Sequence, residues 1–368
     1  MVGIISHDWI AKYGGSENVL VEMARAFPSA DIATLWCDRP SIKRDHSVYE
    51  SWLSKTPLRR SKAAALPFMP HAWNHVVPKT KEYEWHLSSS HLMAHHALVR
   101  SGPAVNRQYA YVHTPARYFW SPELDRRGAN IGATVAGPVF RRFDRERSTR
   151  IHSIAANSRF IQARIADTWG RDARVIYPPV DVEEISRGGP WASRLTEREL
   201  KVLNGLPSEF VLGASRFVPY KRLDWVVEAG HRLGLPVVLA GAGPQEADLR
   251  RRARELGAST SFVLSPGTEM LRSLYQRARV FVFPAIEDFG IMPVEAVAAG
   301  CPVVVNSDGG ASESVIPGQN GSVFAGSLES LVECLKNFPS YRRDELSATV
   351  VRFSARRFRH DIETWINE

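Results

Sequence analysis

The strongest constraint on this chain is a repeated alternation: apolar runs of four to seven residues separated by stretches of helical spacing. The second half shows it most clearly, with runs at Phe210 to Ala214, Pro236 to Gly241, Ser261 to Leu264, Val280 to Pro284 and Pro302 to Val305. A strand that is apolar on consecutive residues must be covered on both faces, and helices connecting parallel strands provide that cover. The first half opens the same way, with a strand from Val2 to Ser6 and a loop ending in Gly14-Gly15. A helix follows, in which Val19, Leu20, Met23, Ala24 and Phe27 recur at helical spacing until Pro28 closes it. Further strands are expected at Ala30 to Trp36, Gln108 to His113 and His152 to Ala156.

At 368 residues the chain is longer than one hydrophobic core supports. Two consecutive prolines in Ile176-Tyr177-Pro178-Pro179-Val180-Asp181 stop any helix and leave a stiff, extended crossing, so the boundary between two α/β domains is expected there. Two doubly wound domains facing a central cleft would bring the carboxyl ends of both sheets around one ligand.

A hydrophobic content of 44% and a charged content of 23% exclude a disordered, collagen-like or membrane-embedded chain. No window approaches the roughly 18 apolar residues of a spanning helix, and Met1 to Asp8 lack the basic and apolar regions of a signal peptide. Cys37, Cys301 and Cys334 are odd in number and scattered, which fits free thiols in a reducing compartment. The chain is therefore expected in the cytoplasm. The net charge of +8 is unevenly placed: residues 1–180 hold 25 Lys+Arg against 15 Asp+Glu, the remainder 22 against 24. A basic half suits nucleic acid, an anionic membrane or a phosphorylated substrate, and composition does not choose among them.

Particular residues narrow the choice. Glu287-Asp288-Phe289-Gly290-Ile291-Met292-Pro293-Val294-Glu295 follows a strand directly, and Pro293 suits the first turn of a helix that Gly300 would end. The amides of Phe289, Gly290 and Ile291 then lie at a helix N-terminus, where an anion is favoured, with Glu287 before the helix and Glu295 inside it. Ser215-Arg216-Phe217-Val218-Pro219-Tyr220-Lys221-Arg222 follows another strand, and two fixed cations there could clamp a diphosphate. Gly14-Gly15 could approach a phosphate, and His113 ends a strand in Tyr111-Val112-His113-Thr114-Pro115-Ala116-Arg117-Tyr118. His91, His95 and His96 have helical spacing but no evident fourth ligand, so a surface role is expected. Missing altogether are an Asp-x-Asp pair, a Gly-x-x-x-x-Gly-Lys-Ser/Thr loop and an opening Gly-x-Gly-x-x-Gly, which lowers the case for metal-nucleotide and dinucleotide chemistry.

Together these residues resemble retaining glycosyltransferases of family 4. The similarity runs from His7-Asp8-Trp9 and Gly14 to Glu17, through Tyr111 to Tyr118, Asn157-Ser158, Ile176 to Asp181 and Ser215 to Asp224, to the Glu-x7-Glu spacing of Glu287 and Glu295. It looks most like the branch containing mannosyltransferases of bacterial surface polysaccharides. The resemblance implies the GT-B fold, two Rossmann-like domains: 1–179 binding acceptor, 180–350 binding the nucleotide sugar, and 351–368 a helix packing back on the first. It further implies that Arg216 and Lys221 hold the donor diphosphate, Glu295 the ribose, and Glu287 with the Phe289 to Ile291 amides the sugar. Gly14 and Gly15 would approach the phosphate, and His113 the sugar near its anomeric carbon. Gly241-Ala242-Gly243-Pro244 stands where the family usually reads Gly-Asp-Gly-Pro, and Val263-Leu264-Ser265-Pro266-Gly267 replaces Phe-Leu-Gly-x-Val. Gly243 and Pro266 thus sit where the base is expected, leaving guanine and uracil both open, with GDP-mannose favoured over a UDP-sugar.

No cofactor or metal is implied. The expected partners are the nucleotide-sugar donor, a glycan or polyprenyl-diphosphate-linked acceptor, and an anionic membrane surface met by Trp52 to Pro70, where Lys55, Arg59, Arg60 and Lys62 run into apolar residues. Nucleic acid is not expected. A GT-B nucleotide-sugar epimerase is the rival enzyme, and it would convert a nucleotide sugar without any acceptor. A basic nucleic-acid-binding protein is the non-enzymic rival; it predicts steeply salt-dependent affinity and leaves the two glutamates unexplained.

Overall fold

A computed structural model of the chain describes residues 2–78, 80–99, 107–120 and 131–368, the side chains of 131–136 excepted. The chain forms two compact units, Met1–Pro179 with Arg356–Glu368, and Val180–Ala355. The crossing occurs directly after Pro179.

In the first unit the strands are β1 (Gly3–His7), β2 (Asp31–Thr34), β3 (Val48–Glu50), β4 (Trp85–Ser90), β5 (Arg107–Val112), β6 (Ser153–Ala156) and β7 (Arg174–Val175). They form one sheet in the order β3-β2-β1-β4-β5-β6-β7, with every pairing parallel. The second unit has β8 (Val211–Ala214), β9 (Val237–Gly241), β10 (Thr260–Leu264), β11 (Val280–Phe283), β12 (Val303–Asn306) and β13 (Gly321–Phe324). Their order is β10-β9-β8-β11-β12-β13, again all parallel. Both units are therefore doubly wound and Rossmann-like, as the alternation of apolar runs and helices requires.

Four strands gave no apolar run. In β4, Trp85-His86-Leu87-Ser88-Ser89-Ser90, all six residues are buried although four are polar. Each polar side chain has a partner across the sheet edge or in the next layer: His86 Nε2 meets Ser6 Oγ at 2.8 Å, and Ser88 Oγ donates to the Tyr109 carbonyl at 3.0 Å. Ser90 Oγ meets His95 Nδ1 at 2.9 Å. Burial with satisfied hydrogen bonds removes the penalty that makes such a sequence look like a loop. β3, β7 and β13 are edge strands of two to four residues, too short to carry a period.

Helices cover both faces of the first sheet. One face packs on Val19, Leu20 and Met23 of the helix Gly15–Ala26, and on Phe358, Ile362, Trp365 and Ile366 of the helix Ala355–Asn367. Burying those last four side chains is worth about 1.5–3 kcal/mol each. Trp365 Nε1 also donates to Ser153 Oγ at 2.8 Å, and Arg359 pairs with Glu22. This terminal helix begins at Ala355 and not at 351. Leu346–Phe353 is a 3-10 helix of the second unit, with Leu346, Val350 and Phe353 buried and the Phe353 ring against Phe289.

The histidines expected at the surface are not there. His95 and His96 are 2% and 1% exposed, and both Nε2 atoms meet Asp144 Oδ1, at 3.0 and 2.9 Å. Asp144 lies on the helix Ile131–Ser148, and its Oδ2 accepts from the indoles of Trp120 at 2.8 Å and Trp169 at 2.7 Å. Sequence spacing alone showed the pair but not the carboxylate 48 residues away that completes it. Burial raises the Asp144 carboxyl, but the hydrogen bonds from His95 and His96 outweigh it and hold the group well below the usual carboxylate range.

Burial pushes His86 down to about 3, reinforced by His95, and His96 down to about 4, with Asp144 opposing. Burial and the charge of His91 bring His113 to about 3. These rings are neutral in the folded chain, whereas unfolded histidine binds a proton near pH 6.5. Their contribution to stability is complete above about pH 6.5 and is lost as the pH falls toward 3 to 4. Asp144 acts later, below about pH 4, because its folded value is depressed relative to an ordinary carboxyl. The urea midpoint should therefore fall between pH 7 and pH 5; a midpoint constant over that range would show that these imidazoles titrate normally.

Candidate active site

In a doubly wound sheet the connections run outward in both directions from one point, and loops leaving the two strands at that point diverge to leave a ligand crevice. In the second sheet the point lies between β8 and β11. The loop after β8 carries Arg216 and Lys221, and the loop after β11 carries Glu287. Lys221 is buried, and its ammonium forms an ion pair with the half-buried Glu287. Phe283 and Tyr220 present their rings to the same Nζ at 5.5 and 5.2 Å. Arg216 is exposed, and its Nη2 donates to the Tyr220 hydroxyl at 2.7 Å.

Close backbone contacts hold these loops in place. Phe217 N–H donates to the Ala242 carbonyl at 2.8 Å, and Gln245 N–H to the Phe217 carbonyl at 3.0 Å. The Gly241 to Pro244 turn therefore lies directly against the Arg216 loop. A Cβ on Gly243 would stand 2.5 Å from the Phe217 oxygen, so only glycine allows this approach. Ser265 N–H donates to the Gly241 carbonyl at 3.0 Å, which ties in the loop leading to the half-buried Pro266. Among the described residues, the two non-glycine positions with positive φ are Arg222 at 51° and Ser265 at 45°, and both belong to these loops. Strained backbone of this kind gathers at ligand sites.

Glu287 is held from the other side. Gly310 N–H donates to the Glu287 carbonyl at 2.8 Å, and a Cβ on Gly310 would come within 2.1 Å of the Asp288 oxygen. Asn306 Nδ2 donates to the Pro284 carbonyl at 3.1 Å. The supporting loop after β12, Ser307 to Ala311, was not singled out from the sequence, although its Gly309-Gly310 pair is the kind of signal that marks close backbone approach. The helix Ile291–Ala298 starts behind Gly290, with no side-chain cap. Phe289 turns its ring into the core against Phe353, so its part in any site is played by its backbone. Glu295 lies one turn inside the helix; burial raises its carboxyl above the usual range, opposed by Arg272 and reinforced by Asp181. Arg272 is itself held by Glu184 at 2.6 Å and by the Trp191 ring at 4.3 Å. The sequence reading had missed it.

The first sheet has its own switch point, between β1 and β4. Asp8, directly after β1, accepts from the amides of His91, Leu92 and Met93 at 2.8, 2.9 and 2.7 Å. This fixes the loop after β4. His113 follows β5 and is 9% exposed; its Nε2 meets Ser89 Oγ at 2.9 Å. Ser89 Oγ also meets His7 Nδ1 at 3.0 Å. Gly14 and Gly15 open the helix Gly15–Ala26, where the buried Glu17 carboxylate folds back and accepts from Ala11 N–H at 3.1 Å. A Cβ on Gly14 would stand 2.0 Å from Glu17 Oε2, so a carboxylate already covers the space beside that glycine.

Arg216, Lys221, Gly243, Pro266, Glu287, Phe289, Gly290, Ile291 and Glu295 thus share the carboxyl edge of the second sheet. Gly14, Gly15 and His113 lie at the carboxyl edge of the first. His95, His96 and Asp144 are of metal-ligand type and lie together among the described residues, but four N–H groups already occupy the two Asp144 oxygens. That cluster is a saturated polar hub of the core.

Residues 198–343 match the family model Glycosyl transferases group 1. The chain is 32% identical over 184 residues to the GDP-mannose-dependent alpha-(1-6)-phosphatidylinositol monomannoside mannosyltransferase of Mycolicibacterium smegmatis, covering 46% of this chain and 48% of that one. It is 33% identical over 164 residues to the D-inositol 3-phosphate glycosyltransferase of the same organism, covering 41% and 36%. The chain spans about half the length of the curated relatives it matches. Among solved structures it is similar to Anabaena HepE in complex with UDP and glucose, with a TM-score of 0.68, 20% identity and 99% of each chain covered. The lipopolysaccharide outer core galactosyltransferase WaaB superposes with a TM-score of 0.69 at 16% identity over the whole of both chains. The second unit therefore carries a glycosyl transferases group 1 domain, in a chain that has the fold of the GT-B glycosyltransferases.

Proposed function

We propose that this chain is a retaining hexosyltransferase of glycosyltransferase family 4, moving a hexose from a nucleotide-diphosphate sugar to a glycan or lipid-linked glycan. The observation that carries the reading is the Lys221–Glu287 ion pair at the switch point of a glycosyl transferases group 1 domain. A cation held in place by a carboxylate is already oriented before ligand arrives, which is the condition for electrostatic catalysis. The similarity to GDP-mannose-dependent mannosyltransferases of mycobacteria supports mannose as the sugar and GDP-mannose as the donor.

In this mechanism the donor diphosphate binds beside Arg216 and Lys221, drawing Lys221 from Glu287 and freeing that carboxylate for a sugar hydroxyl. The amides of Phe289, Gly290 and Ile291 steady the sugar, Glu295 accepts from the ribose, and Gly243 and Pro266 border the base. Gly14 and Gly15 serve the phosphate, and His113 the sugar. As the bond from the anomeric carbon to the phosphate oxygen breaks, charge grows on the diphosphate and the two cations stabilise it. The acceptor hydroxyl bonds to the anomeric carbon on the face just vacated and passes its proton to the departing diphosphate, so configuration is retained. The charge that a divalent metal would neutralise elsewhere is met by Arg216 and Lys221.

Transfer from GDP-mannose should be detectable with a glycan or polyprenyl-diphosphate-linked acceptor. Lys221→Ala, Arg216→Ala and Glu287→Ala should each lower turnover at least about 10²-fold with circular dichroism unchanged. Near-normal rates in folded variants would make these loops ordinary surface. Activity should also survive EDTA; loss on chelation, restored by magnesium or manganese, would contradict the role given to the two cations.

An acceptor anchored in lipid also calls for a membrane contact. Trp52 and Phe68 are exposed, with ring centroids 6.2 Å apart, and Lys55 and Arg60 are exposed nearby. Arg59 is paired with Asp38, and Lys62 lies over the Trp9 ring at 4.1 Å. The protein should sediment with anionic vesicles at low salt, and the variant Trp52→Ser, Lys55→Ser, Arg60→Ser, Phe68→Ser should bind roughly tenfold less. Binding indifferent to these changes would exclude this segment as the contact.

A further inference from the structure

Three imidazoles, His7, His91 and His113, gather at the carboxyl edge of the first sheet, with ring centroids 5.5 to 6.4 Å apart. Strand register explains the gathering. His7 is paired with Ser89 across β1 and β4, Ser89 with Tyr111 across β4 and β5, and His113 lies two residues past Tyr111 on the same side of the strand. The outcome is a continuous chain: His7 Nδ1 to Ser89 Oγ at 3.0 Å, then Ser89 Oγ to His113 Nε2 at 2.9 Å.

The direction of that chain follows from its closed end. His7 is fully buried, and its Nε2 has no hydrogen-bond partner among the described residues. A neutral imidazole carries one N–H. Placed on Nε2, the hydrogen would be a buried donor without an acceptor, the rarest kind of unsatisfied group. Placed on Nδ1, it is donated to Ser89, whose Oγ lies at 3.0 Å and whose backbone also accepts from the ring. The Ser89 hydroxyl then has its own hydrogen to give, and among the described residues the acceptor it meets is His113 Nε2. Burial keeps both rings neutral near pH 7, which such a chain requires.

Among the described residues no other group is hydrogen-bonded to His113 Nε2. His91 Nδ1 lies 3.4 Å from Asp8 Oδ2 and its ring stacks edge-on to Trp9, while the Tyr111 hydroxyl donates to the Ile176 carbonyl at 3.0 Å. The His113 backbone is fixed separately, its N–H donating to the Ser90 carbonyl at 2.8 Å and its carbonyl accepting from Asn157 Nδ2 at 3.1 Å.

We propose that His7 and Ser89 are positioning residues that hold His113 as its Nδ1–H tautomer, so that a hydrogen-bond donor, not an acceptor, is offered to the sugar. This rests on the hexosyltransferase reading for the identity of the ligand, but the tautomer does not depend on it. A donor at that point can bond a sugar oxygen throughout transfer without taking part in the proton movement to the diphosphate.

The test is a two-bond ¹⁵N–¹H correlation spectrum of the full chain labelled in histidine, with His113→Gln assigning the resonance. The expected result is a protonated Nδ1 and a bare Nε2 in His113, a shift toward the Nε2–H form in Ser89→Ala, and retention of Nδ1–H in Ser89→Thr. With GDP-mannose, Ser89→Ala should lower kcat about 10- to 100-fold, leave the donor KM within about twofold, and be rescued by Ser89→Thr. A wild type protonated at Nε2, or an Nδ1–H signal that survives in Ser89→Ala, overturns the proposal. The expected tautomers without transfer from any nucleotide sugar would instead overturn the hexosyltransferase reading.

Discussion

Parallel strand direction is the constraint on which the rest depends. When every strand of a sheet points the same way, every loop leaving a carboxyl end emerges at one edge, and residues far apart in the chain become neighbours there. In the second unit this brings the loops after β8, β9, β10, β11 and β12 together: backbone hydrogen bonds join the first three to one another and the last two to each other, and the Lys221–Glu287 pair links the two sets. The Lys221–Glu287 pair exists because β8 and β11 are adjacent, not because the two residues are near in sequence.

That edge is stabilised at a local cost. Lys221 is buried, which is unfavourable for an ammonium, and Glu287 with two aromatic rings offsets the loss of water. Positive φ at Arg222 and Ser265 adds strain. Such an edge is less stable than an apolar one would be.

The first unit uses buried polar groups differently. Asp8 organises the turn after β4, Asp144 collects four N–H donors beneath it, and the serines of β4 connect the imidazoles on either side. Each carboxylate has both oxygens hydrogen-bonded, so these groups specify one arrangement of the sheet edge without leaving a buried acceptor unsatisfied. Burial keeps the histidines of this network neutral.

The sequence by itself determined the parallel α/β class, the crossing at Pro178-Pro179 and most of the loops that gather at the carboxyl edges of the sheets, because short apolar runs, glycine pairs and prolines act locally. It could not reveal β4, whose serines and histidine look like a loop until their partners on β1, β5 and the neighbouring helical turn are in place. For the same reason it put His95 and His96 at the surface, since Asp144 is distant in the chain. The Arg272 position beside Glu295, the support of Glu287 by Gly310 and the chain from His7 through Ser89 to His113 were likewise decided only by tertiary structure. Hydrogen bonding and ion pairing act over about 3 Å, and only the register of parallel strands brings such partners that close.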